Sequence, residues 1–233
     1  MERSLKRKEF AFLGVLTFFA LLVHGYHPGA EDSDIYVPGV EKILHPKLFP
    51  FGAEYFQLHA RMTFFPQVIA ATARLGHLPL AWALFLWHLA SIFLFLFACR
   101  VLAGKLFTNQ RAIWGGVALM AALLTLPVAG TALYIMDQYI NPRNMTAFAV
   151  IFGIVYVLEK KYWRAALFLV FATAIHPFMT AFAIFYCFVL AWMNTSSATA
   201  KSVQSESGVV AMSFAWPLSM MALYSPPTDY HAA

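Results

Sequence analysis

Residues 79–99 read PLAWALFLWHLASIFLFLFAC and contain no Asp, Glu, Lys or Arg. As a helix, rising ~1.5 Å per residue, this run reaches about the 30 Å of a bilayer's hydrocarbon layer. The rest of the chain has the same character. Of its 233 residues 61% are hydrophobic and only 12% charged, with 23 Phe, 6 Trp and a mean hydropathy of +0.67. Those values lie outside the range of an ordinary soluble domain, and a soluble core of this size does not hide so many large side chains. Lipid is the natural solvent, and the chain reads as all-α, a single polytopic transmembrane bundle over 1–233.

Working outward, further apolar runs lie at about 10–26, 112–134, 145–158, 165–176, 177–193 and 208–224. Together with 79–99 they predict about seven spans. The runs near 150 and 170 are short and borrow Tyr162, Trp163 and His176-Pro177 at the interface, with His176-Pro177 as the turn between two helices. The first run follows Arg3, Lys6, Arg7 and Lys8 and leads into Tyr26-His27-Pro28 without a small-x-small cleavage site, so it is expected to stay as a signal anchor.

Just upstream of residue 79, the segment 53–76, AEYFQLHARMTFFPQVIAATARLG, sets the topology. If it spanned, Arg61 would sit near mid-membrane, at a cost of roughly 3 kcal/mol. A helix lying on the membrane surface avoids that. With this assignment, Arg3, Lys6, Arg7, Lys8, Arg100, Lys105, Arg111, Lys160, Lys161, Arg164 and Lys201 all fall on the cytoplasmic side. Lys42, Lys47, Arg61, Arg74 and Arg143 fall outside. The positive-inside rule is then obeyed, with a cytoplasmic N-terminus in a plasma (inner) membrane. The outer face receives residues 27–78 and 135–144, and 194–207, rich in Ser and Thr, is expected to be a flexible cytoplasmic loop. The sequence runs out at Pro226-Pro227-Thr228-Asp229-Tyr230 soon after the last expected span, so no soluble extracytoplasmic domain is expected.

The net charge of +5 comes from short basic clusters between apolar runs, a topology signal and not a nucleic-acid footprint. Cys99 and Cys187 sit inside apolar runs and read as small buried hydrophobes.

Chemistry concentrates in the first outer loop, where Glu31, Asp32 and Asp34 crowd together after the first helix. Clustered carboxylates raise one another's pKa unless a cation or water relieves the field. Such a loop suits Mg²⁺ or Mn²⁺ with a phosphate, or one protonated acid beside an ionised base. A plainly solvated acidic loop is the other reading. Tyr36 to Leu44 is a short amphipathic helix candidate ended by His45-Pro46.

In the second outer loop, Asp137 and Arg143 either pair, or Asp137 faces the first acidic cluster while Arg143 takes an anionic lipid phosphate. His27, His45, His59, His77 and His176 map to the outer face or its boundary, where a lipid-phosphate headgroup or a metal would sit, though a lone His is more often an interfacial side chain. His24 and His88 fall within spans and need polar company there. No Gly-rich phosphate loop, G-x-S-x-G, H-E-x-x-H or Cys-rich cluster is present, and the spans hold few ionisable groups. ATP-driven chemistry and coupled transport are disfavoured.

This layout resembles the GT-C superfamily of membrane glycosyltransferases, which use lipid-phosphate-linked sugars on the outer or lumenal face. The resemblance rests on a cytoplasmic N-terminus, a large first outer loop opening with Glu31-Asp32-Ser33-Asp34, two surface helices at about 36–45 and 53–75, and a count near seven spans. The chain is also similar to bacterial membrane proteins in which HP-x-AED-x-x-IY and a later HP recur, here His27 to Tyr36 and His176-Pro177. The resemblance implies that Asp32 or Asp34, with Glu31 as neighbour, is the base or metal ligand. It further implies that Asp137 assists and that a polyprenyl-phosphate sugar is the donor. Members generally continue into further helices or a soluble domain. The alternative is therefore a non-catalytic membrane protein binding lipid or partner helices, or a truncated or degenerate relative.

Overall fold

The structure is a computed structural model that describes residues 7–127 and 133–199. Among the described residues the chain is helical without strands: α1 (Arg7–His24), α2 (Ser33–Leu44), α3 (Glu54–Met62), α4 (Phe65–Leu75), α5 (Leu80–Leu106), α6 (Gln110–Ala122), α7 (Pro142–Leu158), α8 (Tyr162–Ile175) and α9 (Pro177–Thr199). By length and composition, α5 and the Pro177–Asn194 stretch of α9 are able to cross a membrane; α7 and α8 are apolar but shorter. Along α9, Phe178, Phe182, Phe185, Phe188 and Trp192 stay exposed at helical spacing. An apolar stripe of this kind, left bare by the rest of the chain, suits lipid or a partner rather than water.

The long helices run alternately between two ends. At one end Arg100 pairs with Glu9 at 3.0 Å and also donates to Gln110, while Glu159 accepts from Lys105 and Lys161. These contacts tie α1 to α5 and α6, and α5 to the turn between α7 and α8. Lys105 and Lys161 hold the Glu159 carboxyl below its usual range. At the other end lie α2 to α4 and the loop before α7. Between the ends, Leu13, Leu16 and Ala20 of α1 pack with Phe95 and Leu96 of α5 and Val117 of α6.

Three expectations need correction. The surface helix expected at 53–75 is two helices, α3 and α4, of 9 and 11 residues. Pro66 has no amide to bond Met62 O and its ring crowds the preceding turn, so the helix breaks ahead of it: Thr63 is extended and the Phe64 amide donates to Ala174 O at 2.8 Å. The break lets Phe65 and Ile69 bury completely against Val40, Ala83 and Ile175, so α4 is a packed cap over the bundle and not a raft. Arg61 stays exposed on α3, bonded to Gln57 at 3.1 Å.

The run 112–134 is helical only as far as Ala122. Pro127 lacks a backbone donor and cannot continue the ladder; it instead forms a β-bridge with Tyr134. Third, α9 continues to Thr199, into the expected loop 194–207. Residues 200–207 and the expected span 208–224 lie outside the described residues. The helix boundary at His176-Pro177 is as expected, and Cys99 and Cys187 are free thiols.

A Cβ placed on Gly39 would stand 2.8 Å from the Ala60 Cβ, where α2 crosses α3. Gly39→Ala is therefore expected to lower stability by about 1–3 kcal/mol, even against the ~1 kcal/mol that Ala gains over Gly in a helix. Thermal unfolding of the purified chain checks this, and a stabilised variant would reject the close contact.

Candidate functional site

The site grows from the first turn of α7, where the sequence reads Asn141-Pro142-Arg143-Asn144. Asn141 is the N-cap, accepting the Asn144 amide at 2.8 Å, and Pro142 fills the first helical position, where a missing amide costs nothing. The fully buried Asn144 side chain turns back on the preceding loop. It donates to Asp137 O at 3.0 Å and Tyr139 O at 2.8 Å, and accepts the Asp137 amide at 3.1 Å.

This staple holds Asp137 with its side chain 2% exposed, its Oδ2 accepting from both Asn141 Nδ2 and Arg143 Nη2. Of the two arrangements open to Asp137 and Arg143, the pair is the one formed. The Asp137 carboxylate is engaged by its own helix start. Arg143 keeps 18% of its side chain exposed, and its buried Nε has no hydrogen-bond partner.

Tyr139 makes the link between the loops. Its hydroxyl lies 3.4 Å from Glu31 Oε2, to which it donates, and accepts the Asp32 amide at 3.3 Å. Glu31 adopts a left-handed φ of 48°, which turns the chain into α2 and leaves both its carboxylate and that of Asp32 exposed. Further bonds fasten the loops: the His27 amide donates to Gln138 O at 2.8 Å, and Gln138 Nε2 to His24 O at 2.7 Å. Burial raises the phenol of Tyr36, and Asp32 acts in the same sense. Burial likewise pushes the His176 imidazole below its ordinary range, with the nearby Arg143 guanidinium adding to the effect. His176 Nδ1 accepts the Met179 amide at 3.1 Å, which caps α9 and suits a neutral ring.

The structure thus gathers Glu31, Asp32, Asp137, Arg143 and His176 at one end of the bundle. Asp34 is exposed in the first turn of α2, and the His27 ring folds over Gly25. Among the described residues no three His, Cys, Asp or Glu side chains converge as a metal-holding group. Tyr139, Asn141 and Asn144 were not singled out from sequence, although Asn-Pro ahead of an apolar run is a legible helix start. Of the two histidines expected within spans, His24 has its expected company in Thr125 Oγ1 at 2.8 Å and Ala121 O at 2.9 Å. His88 is 1% exposed beside the Tyr26 ring, with neither ring nitrogen in a hydrogen bond of normal geometry; its polar neighbours are Asp137 and the Tyr139 backbone.

Burial first, and then the Asp137 charge, push the Tyr139 phenol from 10.0 up to about 12. A neutral phenol is what the loop requires. Its contribution to stability is fully present below pH 10.0 and lost as pH rises toward about 12, because only the unfolded chain gives up the proton in that window. The alkaline stability loss is expected to shrink in Tyr139→Phe. Unfolding followed against pH measures it, and an unchanged slope would remove Tyr139 as its source.

Comparison of the chain with family models, with curated proteins and with solved structures finds no match.

Proposed function

We propose that the chain is an integral membrane protein of about seven spans with a cytoplasmic N-terminus, and that its acidic end is a GT-C-like site for transferring a sugar from a polyprenyl phosphate. The single observation that carries the site is the Tyr139 hydroxyl, which joins Glu31 and Asp32 to the loop of Asp137 and Arg143. Exposed carboxylates and a guanidinium with an unbonded Nε therefore share one end of the fold. The topology draws on the basic termini collected at the opposite end, as the positive-inside rule requires in an inner membrane.

In this reading Asp32, with Glu31 beside it, takes the proton from an acceptor hydroxyl as that oxygen bonds the sugar's anomeric carbon. The bond from that carbon to the lipid phosphate breaks, and Arg143 meets the departing phosphate while Asp137 fixes the guanidinium. Mg²⁺ or Mn²⁺ arriving with the phosphate, held by one or two carboxylates, is compatible with the loop, and no step depends on it. The test is to incubate the purified chain with a polyprenyl-phosphate sugar and a glycan acceptor and to measure released polyprenyl phosphate. Release above that of an Asp32→Asn variant supports the reading; equal release overturns it.

The alternative, a non-catalytic protein that packs against lipid or partner helices, draws on Gly115 and Gly116. Both are exposed on α6, with no atom within 4 Å of where a Cβ would stand. Small residues of this kind let helices approach closely in a membrane. Under that reading Gly116→Leu impairs assembly while neutral substitutions in the acidic loop are silent.

A further inference from the structure

At the basic end a cleft of about 390 Å³ opens between the first turns of α1 and α6, lined by Lys8, Glu9, Phe12, Gln110, Arg111 and Trp114. We propose that this cleft holds the headgroup of an anionic phospholipid from the leaflet at the basic end. The inference is separate from the sugar-transfer site and rests only on the membrane reading.

Charge is the first argument. The acidic residue of the cleft, Glu9, is paired with Arg100 at 3.0 Å, whereas neither Lys8 nor Arg111 has an ion-pair partner among the described residues. Both are exposed, so the rim carries two positive charges in search of an anion. The second argument is the shape and chemistry of the wall. Trp114 is held edge-on by Phe12 at 4.9 Å and from its other contact by the Arg100 guanidinium at 5.1 Å. That makes a fixed aromatic surface directly beneath a basic rim.

The third argument separates a lipid from a free phosphate. From Phe12 an exposed apolar stripe continues along α1 through Val15, Phe19 and Leu22 at helical spacing. An ion without a tail would leave these side chains uncovered, whereas an acyl chain hanging from a headgroup in the cleft lies along them. A headgroup phosphate at the rim accepts from Arg111 and Lys8, with Arg111 offering a fork that fits phosphate oxygens.

The experiment places the full chain in phosphatidylcholine nanodiscs carrying a minor share of phosphatidylglycerol. Native mass spectrometry then compares the two lipids retained on ejection. The wild type is expected to retain phosphatidylglycerol preferentially. Each of Lys8→Gln and Arg111→Gln is expected to cut the preference about fivefold, the effect of one basic charge at an anionic surface, and the double variant more deeply. Arg164→Gln, at the same end but stacked over Tyr156 away from the cleft, is expected to leave it unchanged.

An unchanged preference in the double variant, or an equal loss in Arg164→Gln, overturns the site. Full competition by soluble glycerol phosphate would assign the cleft to a free anion and overturn the lipid. Resistance of the chain to alkaline carbonate extraction, measured alongside, tells a failed headgroup site from a failed membrane reading. Far-ultraviolet circular dichroism confirms that the variants keep their helices.

Discussion

Replacing Arg143 by methionine is expected to destabilise the fold by about 3–5 kcal/mol, the range for removing one partner of a buried ion pair. Methionine keeps much of the volume and removes the charge. What remains is the Asp137 carboxylate, 2% exposed and sealed beneath the first turn of α7. Asn141 still donates to it, and the N-terminus of α7 still favours a negative charge, so the loss falls toward the lower end of that range.

The reciprocal change is milder. Asp137→Asn keeps an acceptor for Asn141, and the Arg143 side chain, already 18% exposed, turns its freed charge to water. Arg143→Met is thus expected to cost more than Asp137→Asn, an asymmetry that a surface pair would not show. Unfolding of the two variants by SDS titration in mixed micelles measures it. Losses under about 1 kcal/mol for both would mean the pair behaves as an exposed one.

That pair also shows what was legible from sequence. Both partners lie within six residues of each other around the start of α7, and pairing was one of two arrangements composition and spacing allowed. What decided between them was Asn144, whose side chain folds the loop back on the helix start. A side-chain bond between residues seven apart has no periodic signature. The helices themselves were plain, because apolar runs between basic clusters need no tertiary information. So was the turn at His176-Pro177, since proline dictates the conformation of the residue before it.

Helix ends were harder. The run 112–134 stays apolar beyond Ala122, and only Pro127 warns that the helix stops. In 53–76 the same kind of warning, Pro66, was present but outweighed by the amphipathic pattern on either side. The link through Tyr139 was invisible because its partners are more than a hundred residues away. His88 presents the reverse case. Its need for polar company follows from burial alone, yet the fold sets it against the Tyr26 ring and meets that need through Asp137 and the Tyr139 backbone without a hydrogen bond of normal geometry.

The acidic loop offers the other large effect. Sequence places Asp32 and Asp34 on an equal footing, whereas the fold does not. The amide of Asp32 is tied to Tyr139, and its carboxylate is close enough to raise both Tyr139 and Tyr36. Asp34, in the first turn of α2, gives its amide to Glu31 O. If the acidic end transfers sugar, Asp32→Asn is expected to lower the rate by about 10²–10⁴-fold, the worth of a positioned general base, while Asp34→Asn stays within about threefold of wild type.

Tyr139→Phe is expected to fall between them, because it leaves both carboxylates but frees the turn that holds them. Single-turnover release of polyprenyl phosphate is the measurement, with membrane insertion of each variant verified by carbonate extraction. Equal losses from Asp32→Asn and Asp34→Asn would instead point to two carboxylates acting together on one cation, and Mn²⁺ titration of the two variants would then show matching losses of affinity.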